Sequence, residues 1–293
     1  MFEQQLLNAL TLGSVYALFA LGFTLVFGVL AVINLSHGAV FMVGSYAALV
    51  VVSHYSAPLW AGFLAAALVS GLVGLAVDLL ILKPLRARGA PHLIPMIATI
   101  GVAITLTSGA QGLFGAEMQR FPEDLLPAGE FIIGEVHVRA LEIAIIAIAF
   151  ALMAVLFLAI RRTQLGRALR AIAESPKAAY LLGINVEALF HVTSFVAAAL
   201  GGIAGVLIGL NFNAITPLMG QPILHKGIAV IILGGMGDIR GALIGGLFLG
   251  AAEVFSKAYL SSQMGDAVAF GLLFLILLLR PSGLFGRVLE RKA

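Results

Sequence analysis

Unbroken apolar runs, each close to the roughly 20 residues that a helix needs to cross a bilayer, constrain this chain more than any other feature. Leu18–Ile33 and Leu141–Ile160 are continuous rather than alternating, which excludes the in–out pattern of a membrane barrel. Soluble domains carry roughly a quarter charged residues. Here only 11% of the 293 residues are charged and 61% are hydrophobic, too few polar groups to clothe a surface in water. Lipid is therefore the main solvent. Lipid offers the backbone no hydrogen bonds, so each run must satisfy its own as a helix.

The reading is an all-α, polytopic transmembrane helical bundle of about eight or nine membrane segments, forming a single transmembrane domain over 1–293 with a cytoplasmic loop at 161–186. Full-length spans are predicted at 6–33, 59–82, 93–115, 141–160, 190–210, 241–260 and 266–280, and two shorter ones at 39–53 and 227–237. The first segment has no basic residue before it and is read as a retained span rather than a signal peptide. Glycines recur four apart at Gly201, Gly205 and Gly209, at Gly241 and Gly245, and at Gly246 and Gly250. Such faces let helices approach closely in lipid.

Basic residues follow the spans at Lys83, Arg86 and Arg88, at Arg161, Arg162, Arg167, Arg170 and Lys177, and at Arg280, Arg287, Arg291 and Lys292. The loop 117–135 instead carries Glu117, Glu123, Asp124, Glu130 and Glu135 against Arg120 alone. Positive loops stay in the cytoplasm, so the N-terminus is expected outside and the C-terminus inside. The same short loops account for the net charge of +3, and no nucleic-acid partner is expected. There is no cysteine, hence no disulfide and no thiolate chemistry. Gly234–Gly241 is glycine-rich but follows no strand, and no Gly-Lys-Ser/Thr occurs, so the chain has no phosphate cradle of the nucleotide-binding type. No His or carboxylate spacing suggests a metal, and no catalytic constellation is present.

Two interruptions carry the candidate pathway. One is Asn34, Ser36, His37 and Gly38 ahead of the first short helix, which Ser36 or Asn34 is placed to cap. The other runs from Asn211 and Asn213 to His225 and Lys226 ahead of the second. Short or broken segments in corresponding halves mark transporter sites, and their helix starts favour a carboxylate. Glu253 and Lys257, four apart, read as a pair. Asp78, near Lys83, reads as interfacial, and His191 and His92 sit at span ends.

In the loop 161–186, Ser175 suits an N-cap, Pro176 the first helical position and Gly183 the C-terminal stop. They predict one short helix over 176–182, after Glu174, with Tyr180, Leu181 and Leu182 in need of cover from a partner or the lipid surface.

Taken together, TLGSVYALFALGFTLVFGVLAVINLSHGAVFMVGSYAA, GRALRAIAESPKAAYLLGIN, IILGGMGDIRGALIGGLFLGAAE and the ending RPSGLFG resemble, in order, the branched-chain amino-acid ABC permeases of the Liv type. The first stretch departs from that family's Asn-Phe-Ala-His-Gly at Leu35–Ser36, and Arg240 stands where proline is common. The resemblance implies an inner-membrane permease that binds no cofactor itself. It implies a homologous second permease, two cytoplasmic ATPases that bind ATP and Mg, and an extracytoplasmic substrate-binding protein, all within membrane lipid. It assigns Asn34, His37, Gly38 and Lys226 to the pathway and Ala173–Gly183 to ATPase coupling. Relatives in this family carry branched-chain amino acids, urea, amides or aromatic carboxylates. An ion- or proton-coupled transporter using Glu253 or Asp78 is the alternative.

Overall fold

The computed structural model describes residues 1–91, 93–122, 129–133, 136–280 and 283–285. His92, placed above at a span end, and Glu123, Asp124, Glu135, Arg287, Arg291 and Lys292, used above for topology, lie outside the described residues. In chain order the helices are α1 (Phe2–Leu30), α2 (His37–His54), α3 (Leu59–Val77), α4 (Lys83–Ala87), α5 (Leu93–Phe114) and α6 (Ala140–Arg162). They continue with α7 (Gln164–Glu174), α8 (Pro176–Leu181), α9 (Val186–Phe212), α10 (Gly220–Gly234), α11 (Ile239–Tyr259) and α12 (Gly265–Leu279). Among the described residues eight helical segments are long and apolar enough to cross a membrane, and α10, at 15 residues, is a ninth, shorter one.

The α3 segment runs on through a π-helical turn, Asp78–Leu82, into α4. Pro84 supplies a cause: it has no N–H for the carbonyl four residues back, and its ring crowds that position. A wider turn relieves both.

Close packing along glycine faces orders the bundle. Gly13, Ala17 and Gly28 on α1 meet Leu247, Gly246 and Gly237 in and just before α11, so the two helices run antiparallel. Ser70, Gly74 and Asp78 likewise meet Gly202, Ala198 and His191, which sets α9 antiparallel to α3. Gly201 and Gly205 seat His37 and the Phe41 carbonyl, and Gly241 and Gly245 abut Gly234 and Val230. The glycine spacing thus does what it implied. The halves α1–α3 and α9–α11 match as inverted copies: a long helix, a break, a short helix and a third helix, with α1 packed on α11 and α9 on α3.

Several boundaries differ from the sequence reading. The first span ends at Leu30, where Ala31 turns left-handed at φ 54°. The second short helix begins at Gly220, not 227, so His225 and Lys226 lie within its second turn. Pro222 is tolerated there because the first-turn amides have no intrahelical acceptor to lose. Neither Ser36 nor Asn34 caps α2; instead Asn34 Oδ1 accepts from Ser36 N–H at 3.0 Å and Ser36 Oγ at 2.6 Å.

The basic loop holds two helices rather than one. Thr163 caps α7, accepting from Gly166 N–H at 3.0 Å, and the stripe Gly166, Leu169, Ile172 buries its inner face. The acidic loop contains an antiparallel hairpin, β1 (Glu130–Ile133) with β2 (Val136–Arg139), paired Glu130 to Arg139. Gln4 on α1 ties it down, exchanging hydrogen bonds with the His137 backbone at 2.9 and 3.1 Å.

Candidate functional site

The break after α1 turns back into the bundle instead of continuing outward. His37, the first residue of α2, packs against Phe19 and Phe23, at ring distances of 4.8 and 5.5 Å, and against Gly22 and Gly201. Those residues lie at the middle of α1 and α9, so α2 begins at mid-depth. The break after α9, which runs antiparallel to α3, returns from the opposite end. It delivers Gly220, the start of α10, directly onto Gly38, backbone against backbone, with no room for a β-carbon on either residue. Two helix starts therefore meet inside the bundle, each approached from a different side.

Beside this crossing lies a cavity of about 550 Å³ lined by Leu35, Gly38 and Ala39, by Pro217, Leu218, Gly220, Gln221, Leu224, His225 and Ile228, and by α5 through Ile100, Ile104, Thr107, Ser108 and Gln111. Its apolar walls carry a few polar groups, the usual make-up of a small-molecule site. Most of α5 is uncovered within this chain.

The sequence-derived residues separate into distinct places. Gly38 and His225 line the cavity. Asn34, Ser36 and His37 shape the break behind it; the His37 ring is buried between helices and its Nε2 has no hydrogen-bond partner. Asn211 lines a different, polar cavity with Gln5, Asn8, Arg139, Glu142 and Lys257. Asn213, at φ 46°, ends α9 and accepts from Phe121 N–H at 2.9 Å, fastening the outer loop.

Lys226 points away from the cavity. The residue is 8% exposed, and its ammonium lies 2.7 Å from Glu253, 3.0 Å from the Tyr16 hydroxyl and 3.2 Å from Asp266. Glu253 also takes Lys257 at 2.6 Å, the pairing that their spacing implied. A buried charge is tolerable only when paired in this way.

Asp78, at the end of its span, is wholly buried among protein side chains. It accepts from Arg86 at 2.7 Å and pairs with His191 at 2.5 Å, which joins α4 to α9 across the π turn. Sequence reasoning also passed over Gln221 and the α5 face Thr107, Ser108 and Gln111. Polar residues one turn apart in an apolar span were the available signal.

On the basic loop, Ser175 Oγ accepts from Ala178 N–H at 3.2 Å, Pro176 opens α8, and Gly183, at φ 82°, closes the turn. Glu174 ends α7 on the exposed side, and Tyr180, Leu181 and Leu182 stand 71–80% exposed. Among the described residues no cluster of His, Asp and Glu could hold a metal.

Residues 5–277 match the family described as "Branched-chain amino acid transport system / permease component". The chain is 40% identical to the high-affinity branched-chain amino acid transport system permease protein BraD of Pseudomonas aeruginosa, over 98% of this chain and 96% of that protein. It is 37% identical to the protein named LivH in Salmonella typhimurium and 36% to that in Escherichia coli, each over 98% of this chain and 96% of the relative. No solved structure matches. With eight helical segments long and apolar enough to cross a membrane among the described residues, and two opposed helix breaks, already in view, the family match over nearly the whole chain is decisive: this multi-pass membrane protein belongs to the permease components of branched-chain amino acid transport systems.

Proposed function

We propose that this chain forms half of the translocation pathway of an ATP-driven importer for branched-chain amino acids or a related small carboxylate solute. The observation that carries this is the convergence of the α2 and α10 starts beside a cavity whose outer wall is α5. A helix start leaves amides without intrahelical acceptors and carries the positive end of the dipole. Two of them at mid-depth favour a carboxylate. Ile100, Ile104, Leu224 and Ile228 suit an aliphatic side chain. A homologous second permease would close the open side along α5.

Energy would come from two cytoplasmic ATP-binding subunits, holding ATP and Mg, that grip Tyr180, Leu181 and Leu182. An extracytoplasmic binding protein would deliver the solute. The alternative, a proton-coupled carrier, is disfavoured because Glu253 is held by two lysines and Asp78 by Arg86 and the His191 ring, so neither carboxylate stands free to carry a proton.

The test is uptake of labelled leucine by the reconstituted complex, with ATP and saturating binding protein. Leu181→Asp buries a charge in the ATPase contact and should cut uptake by roughly tenfold or more, with hydrolysis uncoupled or the ATPases lost. Gln221→Leu should lower uptake with assembly intact. Normal uptake by both, or uptake driven by a proton gradient without ATP, would sink the reading.

We place the chain in the inner membrane with its N-terminus outside and its C-terminus in the cytoplasm, on the charge asymmetry of the loops. Because the chain has no cysteine, single introduced thiols report cleanly. Glu130→Cys should react with an impermeant reagent applied to intact cells, and Lys177→Cys only after permeabilisation. The reverse pattern would invert the topology.

A further inference from the structure

Between α1, α6 and α11 runs a groove of about 480 Å³ that shares no helix with the cavity beside Gly38. Its walls are Leu21, Phe150, Met153, Phe157, Leu243 and their apolar neighbours, and its only polar side chains are Arg161 and Arg240. Both arginines stand at one end of the groove. Arg161 closes α6 and Arg240 lies in the first turn of α11.

Both side chains are exposed, and neither has an ion-pair partner among the described residues. The Asp238 carboxylate nearby caps α11, its Oδ1 accepting from the Arg240 and Gly241 amides at 2.7 and 3.0 Å. The Arg161 guanidinium lies 4.7 Å over the Phe157 ring, at the point where the groove turns apolar. From Arg161 to Phe150 the α6 wall runs for about 16 Å at the helical rise. Exposed Val155, Leu158 and Phe248 continue the apolar surface on the same helices.

We propose that this groove holds one anionic phospholipid, with its phosphate between Arg161 and Arg240 and an acyl chain along Phe157, Met153 and Phe150. The distribution of charge selects this class. Unpaired cations sit only at the end that carries the basic loops, where a headgroup lies, and the remainder has nothing to offer but apolar contact. Basic pockets between membrane helices take anionic headgroups on the same physical ground, and arginine matches phosphate geometry through its planar fork.

The experiment uses the assembled complex in vesicles of phosphatidylcholine containing a minority of phosphatidylglycerol. The complex is re-extracted in mild detergent, and the lipid retained is counted by mass spectrometry of the intact assembly. Phosphatidylglycerol should be retained in preference to phosphatidylcholine. The double substitution R161Q/R240Q should reduce that retention by roughly thirtyfold, the combined effect of two basic residues at an anionic headgroup. A154W fills the groove without touching its charge and should also release the lipid, whereas R88Q, an exposed arginine elsewhere on the basic surface, should not.

Equal loss in R88Q would make the effect one of general surface charge and overturn the site. Unchanged retention in A154W or R161Q/R240Q would do the same. Displacement by inorganic phosphate alone would reassign the arginines to a free anion. Retention by the isolated permease but not by the complex would give the groove to a partner subunit.

Discussion

Glu253→Leu should destabilise the folded bundle by about 3 kcal/mol, the lower end of the cost of stranding one member of a buried ion pair. The substitution leaves Lys226 deep between α1, α10 and α11 with only the Tyr16 hydroxyl and, at 3.2 Å, the solvent-screened Asp266 as partners. Lys226→Met is expected to cost clearly less, because Glu253 keeps Lys257 at 2.6 Å. The double variant Lys226→Met/Glu253→Leu should recover most of the loss, since an apolar pair of similar volume removes the stranded charge altogether. Unfolding midpoints of the three purified variants in one detergent decide the matter. If Lys226→Met proves the worst of the three, the ammonium does more than satisfy Glu253, and a place for it in the pathway returns.

The second large effect is steric. Gly220→Val introduces three carbon atoms where the Gly38 backbone already fills the space. Overpacking of this kind costs about 1–3 kcal/mol, and here the neighbour is main chain, which cannot change rotamer to yield. Uptake by the reconstituted complex should fall by roughly tenfold or more while membrane insertion persists. Gly271→Val, on the exposed face of α12 where nothing lies near the glycine, should transport normally. Equal behaviour of the two variants would mean that the crossing does not matter to function.

Spans were legible because their signal is local. A run of apolar residues must be a helix in lipid wherever it packs, so seven full-length segments and two short ones could be read directly. The small-residue faces announced close packing for the same reason. Partnership across the fold was not legible. Lys226 and Glu253 are 27 residues apart, Asp78 and His191 are 113 apart, and no spacing rule reaches that far. Lys226 therefore read as a lone cation at a helix mouth and Asp78 as an interfacial charge near Lys83, with no sign that either has a buried partner from a distant helix. Asn34 and Ser36 read as caps because their types suit one, yet they bond to each other and leave the start of α2 uncapped. Helix α7 was missed because its buried stripe is only three residues long and begins with glycine.

The meeting of α2 and α10 has a mechanical consequence. Most helix contacts mesh: side chains interlock like teeth, and relative turning requires some of them to disengage. Gly38 and Gly220 have no teeth. Their crossing is main chain on main chain with only Leu224 beside it, so a swivel of the two helices there would have little to unmesh. Because the two segments enter from opposite ends of the bundle, one small rotation at this bearing swings their free lengths in opposite senses. What widens one approach to mid-depth then narrows the other.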